Sequence, residues 1–309
     1  MKLYFLFFFL LIAFSAYPQS SKIYLTGSPD EIAMNPLFSP DGKQIAFTKT
    51  GYTGIWIYDL STKSIKQITD ETSAGFGYKW SYDSKYILSR VAEYRDLKRY
   101  NAVKMFDVQT GEAKQLSDYR TMMPSLPDWA FFNEKAYIFN KGNVEFFETG
   151  LKVQGGQMRW KKPDIIYLAN NNIGKMNLDS ETQIFYSPVK DVDYINLSVS
   201  PYNNKIVFEV MGGNMFTCNI DGSNLVDLGK GNRPRWAPDG NKIIFMITKD
   251  DGHEFTASDI FSINADGTQK INLTNTDDVI ELNPCFAPDG KSIVFDVYNN
   301  GSIYLMNIE

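Results

Sequence analysis

Three segments of this chain repeat one pattern: Phe38-Ser39-Pro40-Asp41-Gly42-Lys43, Trp236-Ala237-Pro238-Asp239-Gly240-Asn241 and Phe286-Ala287-Pro288-Asp289-Gly290-Lys291. Each runs into a β-branched and aromatic stretch, Gln44-Ile45-Ala46-Phe47, Lys242-Ile243-Ile244-Phe245 and Ser292-Ile293-Val294-Phe295. Proline presets φ for the first turn position, aspartate bonds its own backbone, and glycine supplies a positive φ, so each triplet reads as a hairpin turn. Turn chemistry alone accounts for these acids. A unit of about 40 residues recurring in register marks a repeat fold.

Weaker copies of the turn lie at Ser81-Tyr82-Asp83-Ser84-Lys85, Phe132-Asn133-Glu134-Lys135, Lys162-Pro163-Asp164 and Ser200-Pro201-Tyr202-Asn203-Asn204-Lys205, which brings the total to seven. A third strand follows each: 55–60, 103–108, 144–147, 173–178, 215–220, 260–264 and 303–307. Fourth strands close at 68–69, 116–117, 151–153, 184–186, 226–228 and 273–274. Alternating apolar and polar residues with turn signals at this density predict antiparallel sheet throughout. The seventh fourth strand is missing at the C-terminus. Lys22-Ile23-Tyr24-Leu25-Thr26, however, resembles Lys270-Ile271-Asn272-Leu273-Thr274. The N-terminal strand is therefore expected to complete the last blade, leaving no loose edge at the seam of a closed ring. The fold expected is an all-β β-propeller of four-stranded blades, seven in number. Six is the alternative, because the unit at 122–154 is short and poorly matched.

Residues 1–19 have one lysine, about a dozen apolar residues and then Ser15-Ala16, the pattern of a secretory signal peptide. Pro18-Gln19-Ser20-Ser21 interrupts too early for a membrane span, so residues 20–309 are expected as a single exported domain with no transmembrane segment. The formal charge of −5, with Lys and Arg scattered, argues against nucleic acid as a partner. Cys218 and Cys285 fall in different repeats at different strand positions, and are expected as buried free thiols.

The Trp/Phe-Ser/Ala-Pro-Asp-Gly pattern, followed by Ile-x-Phe and a Leu-Thr strand, resembles the TolB-like propeller repeat family (WD40-like, PD40 repeats) over residues 22–309. That resemblance implies a stand-alone propeller, a bacterial origin and export to the periplasm or cell surface. Propellers of this family serve in periplasmic protein complexes or gate peptidases. Neither the domain that precedes the propeller in TolB nor a peptidase domain is expected here. Oligogalacturonate lyase is a further relative, but its metal site needs several histidines and this chain has one.

The sole histidine, His253, lies in the polar stretch Lys249–Glu254, and no Gly-x-Ser-x-Gly elbow, phosphate loop or zinc spacing occurs. The carboxylate pairs Asp250-Asp251, Asp277-Asp278 and Asp191-x-Asp193 fit solvated turns. No catalytic residue, metal ligand or cofactor is assigned. Two connections between second and third strands are long, Glu93–Tyr100 and Lys249–Ala257, and both are expected as loops on the face opposite the Pro-Asp-Gly turns. The connector around Asp118–Met123 joins them there. Loops on a rigid scaffold are where binding usually resides, and Tyr and Arg are favoured anchors. The candidate binding residues are Tyr94, Arg95, Arg99, Tyr100, Tyr119, Arg120, His253 and Phe255. The function expected is a monomeric, non-catalytic binding or scaffold module for a protein, a peptide or an envelope glycan. The alternative is a carbohydrate-active lyase or glycosidase with carboxylates at the channel mouth.

Overall fold

A computed structural model describes residues 21–152 and 164–308. The expected signal segment lies outside them. The described residues form seven sheets, all with antiparallel pairing. In chain order, blade one is Ala33–Phe38, Gln44–Lys49, Ile55–Asp59 and Ile65–Thr69. Blade two is Lys79–Trp80, Tyr86–Arg95, Lys98–Asp107 and Ala113–Gln115. Blade three is Asp128–Ala130, Lys135–Asn140 and Asn143–Glu148, and blade four is Asp164–Ala169, Asn172–Asn177 and Gln183–Tyr186. Blade five is Tyr194–Val199, Lys205–Val210, Met215–Asn219 and Val226–Gly229. Blade six is Asn232–Trp236, Lys242–Asp250, Phe255–Asn264 and Ile271–Asn272. Blade seven is Glu281–Phe286, Ser292–Val297 and Ser302–Asn307, and the N-terminal strand Lys22–Gly27 pairs with the last of these.

Seven blades, not six, are present, and the short unit at 122–154 is one of them. Its expected closing strand at 151–153 is absent at Leu151 and Lys152, and Val153 lies outside the described residues. The expected turn at Lys162-Pro163 also lies outside them, and Asp164 opens a strand directly.

The sheets close into a ring because each second strand is buried on both faces. Successive side chains of a strand point to opposite faces. In blade one, Ile45 and Phe47 pack with Val294 and Ile303 of blade seven, while Ala46 packs with Ile87 and Phe106 of blade two. Ile87 and Phe106 in turn have Leu88 and Val103 behind them, packed on Ala136 and Ile138 of blade three. Blades three and four share Phe139 and Tyr167, four and five Ile173 and Phe208, five and six Val207 and Phe245, six and seven Ile244 and Phe295. Each such Phe or Ile contributes about 1.5–3 kcal/mol of burial. This explains the near-continuous apolar runs after the Pro-Asp-Gly turns.

The Phe of Ile-x-Phe has a second role. Phe47, Phe208, Phe245 and Phe295 stack on their cross-strand partners Trp56, Phe216, Phe261 and Tyr304. Lys270 covers the blade-six pair from the fourth strand, and Lys22 covers Phe295 from the N-terminal strand. The likeness of Lys22–Thr26 to Lys270–Thr274 is thus a likeness of place.

The first strands line the inside of the ring, and the fourth strands form its rim, where Ile23, Tyr24, Ile65, Ile184 and Ile271 are exposed. Tryptophans tie neighbouring first strands together. Trp80 Nε1 donates to Leu37 O of blade one at 3.2 Å, Trp129 Nε1 to Lys79 O of blade two at 3.3 Å, and Trp236 Nε1 to Ser198 O of blade five at 3.0 Å.

Candidate functional site

The two segments expected as loops are β-ribbons. In blade two, the pairing of the second and third strands continues from Tyr86↔Asp107 to Arg95↔Lys98, and only Asp96 and Leu97 turn, with φ of 48° and 61°. Two consecutive residues at positive φ make a tight hairpin turn whose twist matches the strands. In blade six, pairing runs to Asp250↔Phe255, leaving a four-residue turn. Asp251 caps that turn, accepting from His253 N and Glu254 N at 2.9 Å each, and these hydrogen bonds hold its carboxyl below the usual range. Strand pairing thus continues through the segments expected as loops. They share a face with the connectors, since Asn101 and Arg120 exchange backbone hydrogen bonds at 2.8 and 2.9 Å.

Register divides the blade-two candidates between the ribbon's two faces. Tyr100, opposite Glu93, lies on one face with Arg95, whose guanidinium is 5.2 Å from the Tyr100 ring and 5.5 Å from the Tyr119 ring. Glu93 pairs with the same guanidinium. Lys104 Nζ lies 5.6 Å from Tyr119 and 2.8 Å from Glu71 Oε2. Burial pulls the Lys104 pKa down, but the Glu71 carboxylate more than offsets it, so the amine stays charged. Tyr119 is therefore held between two cations. On the opposite face, Tyr94 is 63% exposed, and Arg99 donates to Asn101 Oδ1 and to Ser73 Oγ of the preceding connector. Arg120 is committed to Glu145 of blade three by two hydrogen bonds of 2.7 Å, which raise its pKa and lower that of Glu145.

His253 and Phe255 belong to the blade-six ribbon, separated from blade two by blades seven and one. His253 is exposed at the turn. Phe255 meets Tyr298 of blade seven edge to face at 5.9 Å, and both are exposed. The candidates thus form two aromatic patches on one face of the ring. Tyr298 and the fully exposed Leu97 extend them and were not read from the sequence.

A second group of residues, also missed, lies at the inner mouth on the same face. The first strands of blades one, five, six and seven each contain a bulge, with Asn35, Asn196, Arg233 and Asn283 at φ of 57°, 50°, 52° and 53°. At two of these bulges, in blades one and six, a buried acid receives the freed backbone N–H. Asp296 Oδ1 accepts from Asn35 N at 2.9 Å and Asn283 Nδ2 at 2.8 Å. Glu209 accepts from Arg233 N at 3.0 Å, Asn196 Nδ2 at 2.7 Å and Asn232 Nδ2 at 2.8 Å. Burial pushes the Asp296 carboxyl up to about 6, against the pull of its hydrogen bonds and of Arg233 and Arg235. A third buried acid, Glu281, takes Lys22 Nζ at 2.5 Å and Thr276 Oγ1. Cys285 lies on the innermost strand and is partly exposed, whereas Cys218 is buried, which pushes its thiol to about 12. Both thiols are free. The acid directly after the repeated Phe, in Phe208-Glu209 and Phe295-Asp296, was the available signal for this group. Among the described residues no group of three or more His, Cys, Asp or Glu is arranged to hold a metal ion.

Seven blades in a ring, with one face built up by ribbons, define a β-propeller. No family model matches the sequence, and no curated protein matches it. Solved structures do. A chain in the crystal structure of a mitotic checkpoint complex aligns over 100% of this chain and 98% of its own, with TM-score 0.65 and 12% identity. A putative TolB from Agrobacterium tumefaciens aligns over 90% of this chain and 91% of its own, with TM-score 0.53 and 15% identity. An oligogalacturonate lyase in complex with manganese aligns over 89% and 76%, with TM-score 0.48 and 12% identity. The resemblance to TolB-like and WD40-like propellers is met in the fold. Among the described residues no helix is long and apolar enough to cross a membrane.

Proposed function

We propose that this protein is an exported, non-catalytic binding or scaffold propeller that engages a protein or peptide through its ribbon face. The observation that carries this is the exposure of large side chains on rigid supports there: Tyr94 at 63%, Leu97 at 101%, Phe255 at 37% and Tyr298 at 49%. Aromatic anchors held in place lose little entropy on docking, which is what makes them effective at interfaces. An envelope glycan would use the same aromatic patches. The signal-like residues 1–19 support export to the periplasm or cell surface, with the propeller acting as a monomer. The rival reading, a carbohydrate-active enzyme, needs carboxylates open to substrate. Glu209 and Glu281 are buried with both oxygens engaged by donors of the protein itself, and Asp296 is buried with Oδ1 engaged twice, which favours binding.

The test is affinity capture from envelope extract with the wild type and two double variants, Tyr94→Ser/Leu97→Ser and Phe255→Ser/Tyr298→Ser. A partner retained by the wild type and lost by either variant, at unchanged melting temperature, is the expected result. Equal recovery by all three would overturn the ribbon assignment, and turnover of an oligosaccharide panel would replace binding with catalysis.

A further inference from the structure

We infer that the inner mouth of the ring holds a carboxylate-binding site in which Arg235 and Arg233 are the donors. It is separate from the ribbon patches and stands whether or not those bind a partner.

On the innermost strands, the residue before the aromatic that plugs the blade interface is never fully buried. In blade two this residue is Lys79 and in blade three Asp128, and the two pair with each other at 3.4 Å. In blade six it is Arg235, half-buried on the innermost strand. The Arg235 side chain makes no hydrogen bond or ion pair within the described residues. The stretches outside them hold no acid that could pair with it, apart from the terminal Glu309. Its charge acts on Tyr78, whose hydroxyl is bonded to Asn35 O and Ala46 O of blade one.

Arg233 points the same way. Blades one, five and seven place asparagine at the bulge, where positive φ is tolerated, but blade six places arginine there. A left-handed conformation costs an ordinary residue roughly 1–2 kcal/mol. That strain secures a second cation at the mouth, two residues along the strand towards the ribbon face. Its side chain makes one hydrogen bond, from Nη1 to Asn283 Oδ1, leaving the other donors unspent. The nearest acids do not consume them. Asp296 lies close enough to attract both arginines but bonds to neither, and the Glu209 oxygens are occupied.

Two partly dehydrated guanidiniums with open donors suit a planar oxyanion, which they can grip with parallel N–H···O bonds. Asp128 answers Lys79, and Glu209 and Asp296 stand behind Arg233 and Arg235, so the mouth carries no excess of positive charge. A singly charged carboxylate fits that field, whereas dianionic phosphate is repelled by the acids behind.

The probes are N-acetyl-triglycine with a free C-terminus, its C-terminal amide, succinate and inorganic phosphate, each titrated calorimetrically into the full chain. The expected result is that a carboxylate probe binds, that the amide binds at least about tenfold more weakly, and that affinity falls with salt. Arg235→Gln should lose about tenfold or more, with Arg235→Lys between the two, at unchanged melting temperature. Binding of the peptide but not succinate assigns the site to chain termini, and the reverse assigns it to free organic acids. The inference is overturned if no carboxylate binds, if the amide binds equally, if phosphate binds more tightly, or if Arg235→Lys and Arg235→Gln both match the wild type.

Discussion

Asp296 Oδ1, on the second strand of blade seven, accepts the backbone N–H of Asn35 in blade one at 2.9 Å. This bond joins the two ends of the chain's repeat array through a carboxylate that is 3% exposed. Glu209 repeats the device between blades five and six, through Arg233 N. At these two of the four bulges a buried acid thus stitches neighbouring blades through a freed backbone donor, which is otherwise costly to leave unpaired; at the bulge of blade seven Asn283 N donates to the Met246 sulfur instead.

The first prediction concerns pH. Burial raises the Asp296 carboxyl from an ordinary 3.8 to about 6. The native state therefore takes up a proton below pH 6 that the unfolded chain does not take until nearer pH 4. Stability linked to this group rises as pH falls from 8 towards 5, by up to about 3 kcal/mol at full titration. Asp296→Asn keeps an oxygen for Asn35 N and removes the proton. Denaturant melts at pH 8, 7, 6 and 5 should show the rise in the wild type and a flatter profile in the variant. Parallel profiles would show that the carboxyl titrates normally.

The second concerns the blade-two ribbon. Leu97 is fully exposed at φ 61°, so its side chain gains nothing from the fold while its backbone is strained. Leu97→Gly relieves a strain of about 1–2 kcal/mol and gives back roughly half in unfolded-chain entropy. A stabilisation of about 0.5–1 kcal/mol in thermal melts is expected, together with loss of partner capture if Leu97 is an anchor. A stability gain without any change in capture would confine the residue to the turn.

The ring was readable because its units repeat: Pro-Asp-Gly, Ile-x-Phe and the Lys-led outer strand recur in register, and Lys22 could be matched to Lys270. The ribbons were misread as loops because Glu93–Tyr100 has neither glycine nor proline and reverses at Asp96-Leu97, a pair without the usual Asn-Gly signature. His253 and Phe255 looked like partners of Tyr94 because both segments share a face, but two blades part them. The inner mouth was missed for a different reason. Asp296 and Asn35 are 261 residues apart, and nothing local in Phe295-Asp296-Val297 says which backbone donor the acid will meet.

The third prediction separates two tryptophans with the same job. Trp236 is buried and its Nε1 donates at 3.0 Å to Ser198 O, while Trp129 donates at 3.3 Å from a more exposed position. Replacing either with Phe deletes the donor and leaves a carbonyl on the inner strand unpaired. At Trp236 water cannot easily replace it, so a cost of about 1–3 kcal/mol is expected in denaturant melts, against about 1 kcal/mol or less at Trp129. Equal costs would mean that ring volume, not the inter-blade bond, is what these tryptophans supply.

The last prediction tests the closure. Gly27 ends the N-terminal strand with φ 97°, and a Cβ built there falls 2.2 Å from Gly301 O, 2.9 Å from Ser302 Cα and 3.0 Å from the Ala33 Cβ. Gly142, in a blade-three turn with φ 89°, has nothing within 4 Å of such a Cβ. The two glycines share a backbone conformation and differ in the space around them. Gly142→Ala should then cost only the left-handed strain, roughly 1–2 kcal/mol. Gly27→Ala must in addition push the N-terminal strand off the Ser302–Asn307 strand, whose unpaired edge becomes a template for association between copies. Size-exclusion chromatography with light scattering should find Gly142→Ala unchanged from the wild type and Gly27→Ala forming concentration-dependent oligomers with a melting temperature several degrees lower. If the two variants melt together and remain alike in size, the N-terminal strand is not what holds the seventh blade shut.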